Sequence, residues 1–480
     1  MMPRLLLLAA LVLGGCGGDN GDASRLRVTV VGTAWPGGLG AQLEAEATRP
    51  TLIARDRSGA IVPGLATSWR FVDNERSLIL RLRPREWDDG RIFAANQVAA
   101  AFRRAGTRRE PAFAHAGITV TRAPISRVVE IRLAAASPYL LGWLSDPALA
   151  ITPPDRGKIA VEASLAAYHA DGPAEIRRLI RRDAMASPAA RPAEISITSI
   201  ADPAIAIRRF ATGDADIVIG DGLAGLGEAR TVARPQRLSV DPLWGVYGYV
   251  ANTRSGPLRN PQMRLALALA VDRAALGARV GLAAMAPVDG LLPPALRAVP
   301  VANLDSVTQA TLAQQLFRTA RGTDAAPIRL TLLLPPGRDH RFIAEQVAAG
   351  WRPLGVEVVM SQVDAASIAD KVRRGAFDLA LTEASLAVPD AAAFLARWRC
   401  DGGLVCNAAA DALWSRARAA PVAERPALLA AAEAKWLEAP PMVPLLTPLR
   451  WALVSTRVDG WTANPSGRHP LTRLAVTGRN

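Results

Sequence analysis

The side chains able to do chemistry in this chain are few and dispersed. His115, His169, His340 and His469 stand singly, and the patterns Gly-x-Ser-x-Gly, His-Glu-x-x-His and Gly-x-x-x-x-Gly-Lys-Ser/Thr are absent. With no nucleophile beside a base, no clustered metal ligands and no phosphate loop, the expectation is a non-enzyme that uses neither ATP, metal nor other cofactor. What remains suits binding. Trp35 follows the first expected strand in Gly32-Thr33-Ala34-Trp35-Pro36, and Trp244 and Tyr247 stand together further along. Aromatic walls with a polar handle are what small-ligand clefts use. For the two tryptophans cleft contact and core packing are both open, whereas Tyr247 suits packing in the core or at a hinge. Glu383 and Ser385, ending a β-like run, are candidates for polar ligand groups, the alternative for Glu383 being a solvated acid. Arg338, in Pro335-Pro336-Gly337-Arg338 before a helix, is placed to meet an anion at a helix N-terminus or to be a solvated loop arginine.

The N-terminus carries a signal of its own. Arg4 precedes an apolar run over residues 5–13, too short to span a bilayer, so residues 1–15 read as a secretory signal. Leu13-Gly14-Gly15-Cys16 resembles the lipobox of bacterial lipoproteins, which implies lipidation of Cys16, although an incidental cysteine after a plain signal stays open. The glycine-rich stretch at 16–25 suits a flexible tether. An exported chain meets an oxidising compartment, and the turn glycines of Cys400-Asp401-Gly402-Gly403-Leu404-Val405-Cys406 let its ends approach. A small-loop disulfide is therefore expected, with a metal site the weaker reading because no histidine lies near.

At 480 residues, half of them hydrophobic, the chain can bury a large core and calls for two or three lobes. The net charge of +14 is almost wholly arginine, since Lys158, Lys371 and Lys435 are the only lysines. Such a balance could favour an anionic ligand or an acidic membrane surface, but the arginines are scattered without the cluster a nucleic-acid face needs.

Short β-like runs alternate with helical stretches from residue 25 onward, the pattern of α/β lobes. Strands are expected at 27–31, 77–83, 118–121, 127–133, 195–200, 216–219, 328–334, 356–360, 377–381, 443–446 and 451–454. Helices are expected at 96–104, 203–211, 342–352, 365–374, 409–419 and 423–438. Asn260-Pro261 starts a further helix, an N-cap followed by proline, which buries Met263, Leu267, Ala270 and Val271. The βαβ order from 328 to 381 implies a largely parallel sheet covered by helices.

Several segments, in order, resemble the extracellular solute-binding proteins of family 5, the peptide, nickel and opine receptors of ABC importers. They are Ile61-Val62-Pro63-Gly64-Leu65-Ala66-Thr67-Ser68-Trp69, Leu80-Arg81-Leu82-Arg83-Pro84 through Trp87-Asp88-Asp89-Gly90 and Phe93, and Ala211-Thr212-Gly213-Asp214-Ala215-Asp216-Ile217-Val218. Tyr249-Val250-Ala251-Asn252-Thr253 with Pro257, the run from Arg264 to Arg273, Gly375-Ala376-Phe377-Asp378-Leu379-Ala380, the 400–406 loop and Val458-Asp459-Gly460-Trp461 continue the match. The resemblance implies an α/β, two-lobe periplasmic-binding-protein fold, type II and cluster C-like, with a subsidiary domain and a cleft between lobes. By analogy the first lobe takes 26–47, 186–251 and 446–480, the subsidiary domain 48–185 and the second lobe 252–445.

Two departures bear on ligand. Peptide receptors of this family grip the ligand's α-amino group with an aspartate near a tryptophan, just before a Tyr-Pro-Asp-like turn. In Ala384-Ser385-Leu386-Ala387-Val388-Pro389-Asp390 those positions hold Ala387 and Ala384, so free-amino peptides lose their usual anchor unless Glu383 substitutes. Only Asp171-Gly172-Pro173 survives of a longer segment, so the subsidiary domain is expected to be trimmed. The resemblance implies a monomeric, envelope-located lipoprotein that captures a small or peptide-like solute and delivers it to an inner-membrane permease with its ATPases. It implies no nucleic-acid partner. A sensor, chaperone or orphan scaffold of the same fold is the alternative, and an exported hydrolase a remoter one.

Overall fold

The computed structural model describes residues 24–32, 38–153, 164–182, 191–232, 237–299, 304–322, 326–402 and 405–477. Cys16 with the leader, and Trp35 with its loop, lie outside the described residues. Strand Arg25–Val31 buries Leu26, Val28 and Val30 on one side, and Thr29 and Val31 on the other. Burial on both faces is what the centre of a covered parallel sheet requires. Accordingly it pairs in parallel with Glu194–Ile200 and Ile217–Asp221, and antiparallel strands extend the sheet at both edges. Helix Leu39–Thr48 covers one face and helix Pro203–Ala211 the other.

The second sheet has five described strands in the order Val356–Gln362, Ile328–Leu334, Leu379–Ser385, Gly245–Ala251, Met442–Leu446. Its first two pairings are parallel and its last two antiparallel, so the expected largely parallel sheet is a mixed one. The cause is the crossover from the first lobe. Gly245–Ala251, which sequence reasoning assigned to the first lobe, is a member of the second sheet and lies antiparallel to Leu379–Ser385. The chain passes from the first sheet at Pro242 to the second at Gly245 and returns between Leu446 and Leu449. At the first crossing the Trp244 N–H donates to the Pro465 carbonyl, while its own carbonyl accepts from Leu386 N–H.

The subsidiary domain is a four-stranded antiparallel sheet, Ala66–Val72, Ser77–Leu82, Val128–Leu133, Ile118–Ile125, backed by helix Ala95–Thr107. Leu80, Val98, Phe102 and Ile131 form its core. Tyr168–Asp171 and Ile176–Arg181, expected within it, instead form a hairpin at the edge of the first sheet, with Ile176–Arg181 paired to Glu194–Ile200. Asp171-Gly172-Pro173 supplies the turn, where Gly172 takes φ +89°, a conformation other residues rarely adopt.

The helix starting at Asn260 is shorter than its apolar pattern suggests. Pro261–Leu269 stops at Ala270, and Asp272 caps a new helix, Arg273–Val280, by accepting from Ala275 N–H at 2.9 Å. Cys400 and Cys406 form the expected disulfide, with Cα atoms 4.1 Å apart. Among the described residues no helix is long and apolar enough to cross a membrane.

Candidate functional site: the seam between the lobes

Strand Leu379–Ser385 begins apolar and ends in alternating polar residues, so its second half turns side chains out of the core. Glu383 lies opposite Tyr247 and Ser385 opposite Gly245 on the neighbouring strand. In the first lobe, strand Ile217–Asp221 ends at Asp221-Gly222, at the carboxyl edge of parallel strands where open α/β sheets place their ligands. The two edges meet. Gly222 has φ +67°, and a Cβ there would lie 2.6 Å from Glu383 Oε2, so glycine lets the Glu383 carboxyl approach the first lobe closely.

Glu383 is exposed on the strand, while its carboxyl reaches toward Gly222 of the first lobe. Desolvation, reinforced by the nearby Asp221 carboxylate, pushes its pKa up to about 8. Asp221 is held by Arg450, Nε to Oδ1 at 3.2 Å and Nη2 to Oδ2 at 3.3 Å. Among the described residues no hydrogen-bond donor reaches Glu383. The seam thus presents a carboxyl with a raised pKa beside an ion pair, an arrangement able to take a cationic or hydrogen-bonding ligand group.

The other candidates fall as follows. Tyr247 is fully buried, stacked on the His340 ring with centroids 6.0 Å apart, and its hydroxyl lies 3.2 Å from His340 Nδ1. Burial holds His340 down to about 4, hence neutral at ordinary pH, and raises the Tyr247 hydroxyl well above its usual range. Tyr247 therefore packs, as its sequence context favoured. Trp244 is half-buried at the crossing, and Ser385 is exposed at the strand end. Arg338 is exposed in the first turn of helix Arg338–Trp351. The adjacent Asp339 carboxylate lies across the seam from Gly227 of the first lobe, so Arg338 has an anion of the protein's own beside it.

Ala384 packs toward the second lobe's core, and Leu386 and Val388 reach the core of the subsidiary domain. Asp390 is the carboxylate of that turn, and both its oxygens are committed. Oδ1 caps helix Ala391–Leu395 at Ala393 N–H, and Oδ2 accepts from Trp143 Nε1 of the subsidiary domain at 3.1 Å. Arg418 adds two bonds to the carbonyls of Ala114 and His115 that end helix Pro111–Ala116. Sequence reasoning missed Asp221, Arg450, Trp143 and Asp390 as cleft or closure residues. Asp221 alone carried a signal, an acid followed by glycine at the end of an apolar run.

The model of the bacterial extracellular solute-binding proteins, family 5 Middle, matches residues 60–404. The chain belongs to this family. Family 5 proteins are solute-binding receptors of ABC importers for peptides, nickel and opines, and are not enzymes. This family 5 receptor is 25% identical over 192 residues to the periplasmic murein peptide-binding protein MppA of Escherichia coli K12, an alignment covering 39% of the chain and 36% of that relative's length. Its fold is similar to that of Haemophilus influenzae OppA complexed with RPPGFSPFR, at 18% identity and TM-score 0.80, covering 94% of this chain and 99% of that one. It is similar as well to Escherichia coli MppA, at 20% identity and TM-score 0.81, covering 95% and 99%. Against the unliganded open form of MppA the TM-score is 0.68. In this receptor residues of the two lobes meet at the seam, as at Gly222 with Glu383 and Gly227 with Asp339.

Proposed function

We propose that this receptor is lipid-anchored through Cys16 in the bacterial envelope, acts as a monomer, and closes over a small polar solute that it passes to a membrane permease. The solute places a hydrogen-bond-donating group, by preference a cation, on Glu383. The observation that supports this most is the approach of Glu383 to Asp221-Gly222 across the seam. Asp221 already has Arg450 as its cation, whereas among the described residues Glu383 has no such partner, so a cationic or hydrogen-bond-donating group of the solute fits there.

The pH dependence follows. A carboxyl whose pKa is raised on closure binds a proton more tightly in the closed form than in the open one. Without ligand, closure is therefore favoured in acid and weakened as pH rises from the ordinary carboxyl range through about 8. A cationic solute reverses this, because it pairs with the ionised carboxylate.

A thermal-shift screen of the purified protein against peptides with free and blocked amino termini, opines, sugars, metal chelates and anions tests the reading. A ligand at a hundred times its Kd is expected to stabilise the fold by about 2.7 kcal/mol. A cationic hit should bind more tightly at about pH 7.5 than at about pH 6, and Glu383→Gln should flatten that dependence. Hits whose affinity and pH profile ignore Glu383→Gln would remove Glu383 from the site, and silence across the panel would sink the receptor reading for these solute classes. Separately, Cys16→Ser expressed in cells should move the protein from the membrane pellet to the soluble fraction, and persistence in the pellet would refute the lipid anchor.

A further inference from the structure

A cavity of about 160 Å³ lies away from the seam, between the subsidiary domain and the helices of the second lobe. Pro138 and Tyr139 close it on one side and Leu292, Leu296, Val422 and Leu429 on the other. An engineered apolar cavity of about 150 Å³ takes up benzene, so this space suits a body of that size.

Its charges are unequally committed. Arg297, Arg418 and Arg425 line it against Asp390 and Glu433. Glu433 accepts from Leu292 N–H at 2.9 Å and pairs with Arg297 at 3.0 Å. Asp390 is occupied by Trp143 and Ala393, and Arg418 by the Ala114 and His115 carbonyls. Arg425 differs. Its Nε donates to the Ala420 carbonyl at 3.0 Å, but among the described residues neither terminal nitrogen finds an acceptor, and Nη2 is closed off from solvent. Burial, then the neighbouring Arg418 cation, lowers its pKa, and the Asp390 carboxylate and Tyr139 offset this only in part. Arg425 is partly buried, and an anion in the cavity would give its enclosed Nη2 the acceptor it lacks.

We infer that this cavity is a second ligand site, for a compact apolar carboxylate of benzoate size, with the carboxylate on Arg425 and the apolar body between Tyr139 and Leu429. The walls belong to the subsidiary domain and the second lobe, so an acid that bridges them favours the arrangement in which they meet, and by linkage a solute that favours the same arrangement tightens the acid's binding in return. The site stands or falls independently of the solute proposed for the seam.

Calorimetric titration of the purified protein with benzoate tests it, with benzamide as the uncharged isostere. Benzoate is expected to saturate at one equivalent per chain and benzamide to bind far more weakly. Arg425→Met should weaken benzoate by at least roughly tenfold, the loss of a charge-assisted contact, while Arg329→Met, on an exposed surface strand, leaves it unchanged. Methyl resonances of Leu429 in the native chain should shift on saturation and those of Leu223 at the seam should not, a readout that survives if Arg425→Met fails to fold. No benzoate binding, equal binding of benzamide, unchanged affinity in Arg425→Met or shifts at Leu223 in place of Leu429 would each overturn the assignment.

Discussion

Asp216→Ala is expected to destabilise the first lobe by about 3–5 kcal/mol, the usual cost of breaking a buried ion pair from one side. Asp216 is 2% exposed and sits just before the strand Ile217–Asp221. Its Oδ2 accepts from the Arg27 backbone N–H at 2.9 Å and from Arg27 Nε at 3.1 Å, while Oδ1 accepts from Arg27 Nη2 and Arg457 Nη1, each at 2.9 Å. One carboxylate thus ties strand Arg25–Val31, the start of strand Ile217–Asp221 and the chain beyond the last crossing to each other. Alanine removes the anion from the buried Arg457 guanidinium and leaves the Arg27 fork turned toward a hole. Asp216→Asn, which keeps one acceptor and the volume, should cost less than alanine but more than a surface substitution. Urea unfolding followed by the fluorescence of Trp451, buried in the same lobe, reads the change. A shift in free energy below about 1 kcal/mol would show that Arg457 repartners without cost and that the charge network is dispensable.

Much of this architecture was legible in the sequence because its central strands are unbroken apolar runs and its helices carry caps. Asn260 accepts from the N–H two residues on, as its position before Pro261 suggested, and Asp202 does the same before Pro203. The family motifs likewise fell on scaffold: Leu80 and Leu82 are buried, and Asp272 is a cap. What stayed hidden was lobe membership. Gly245–Ala251 is buried along its whole length, and nothing in a uniformly buried strand says which of two sheets it joins. That choice is made by pairing partners over a hundred residues away. Leu379–Ser385 was placed two residues early and cut short for the opposite reason, since its polar end looks like a loop until the cleft it faces is known. The seam residues follow the same logic. Glu383 stood out as an acid where a strand ends, but Arg450 and Asp221 become partners only through the pairing of their strands, and no local pattern records it.

Asp390 is the residue by which the second lobe senses the subsidiary domain, and its replacement should separate folding from closure. It has two jobs on two oxygens. The cap at Ala393 lies within the second lobe and is worth about 1 kcal/mol, whereas the Trp143 bond at 3.1 Å crosses to the other body and is buried. Asp390→Ala loses both and leaves the Trp143 N–H without a partner, a cost of about 1–3 kcal/mol, so the closed form should weaken by about 2–4 kcal/mol in total. Asp390→Asn has a single acceptor oxygen: kept on the cap, it turns an NH₂ toward the indole N–H and loses the crossing bond alone. In an open conformer, where Trp143 can bond to water, the asparagine variant should be nearly as stable as the parent. Its effect should therefore appear as weaker ligand binding and a larger radius in X-ray scattering, with little change in unfolding. Trp143→Phe should mimic it, and the two changes together should be far less than additive, as for groups that act through one bond. Full additivity, or a loss seen only in unfolding, would mean that Asp390 merely caps its helix and that closure is held by the apolar contact of Val388 with the subsidiary core and by Arg418.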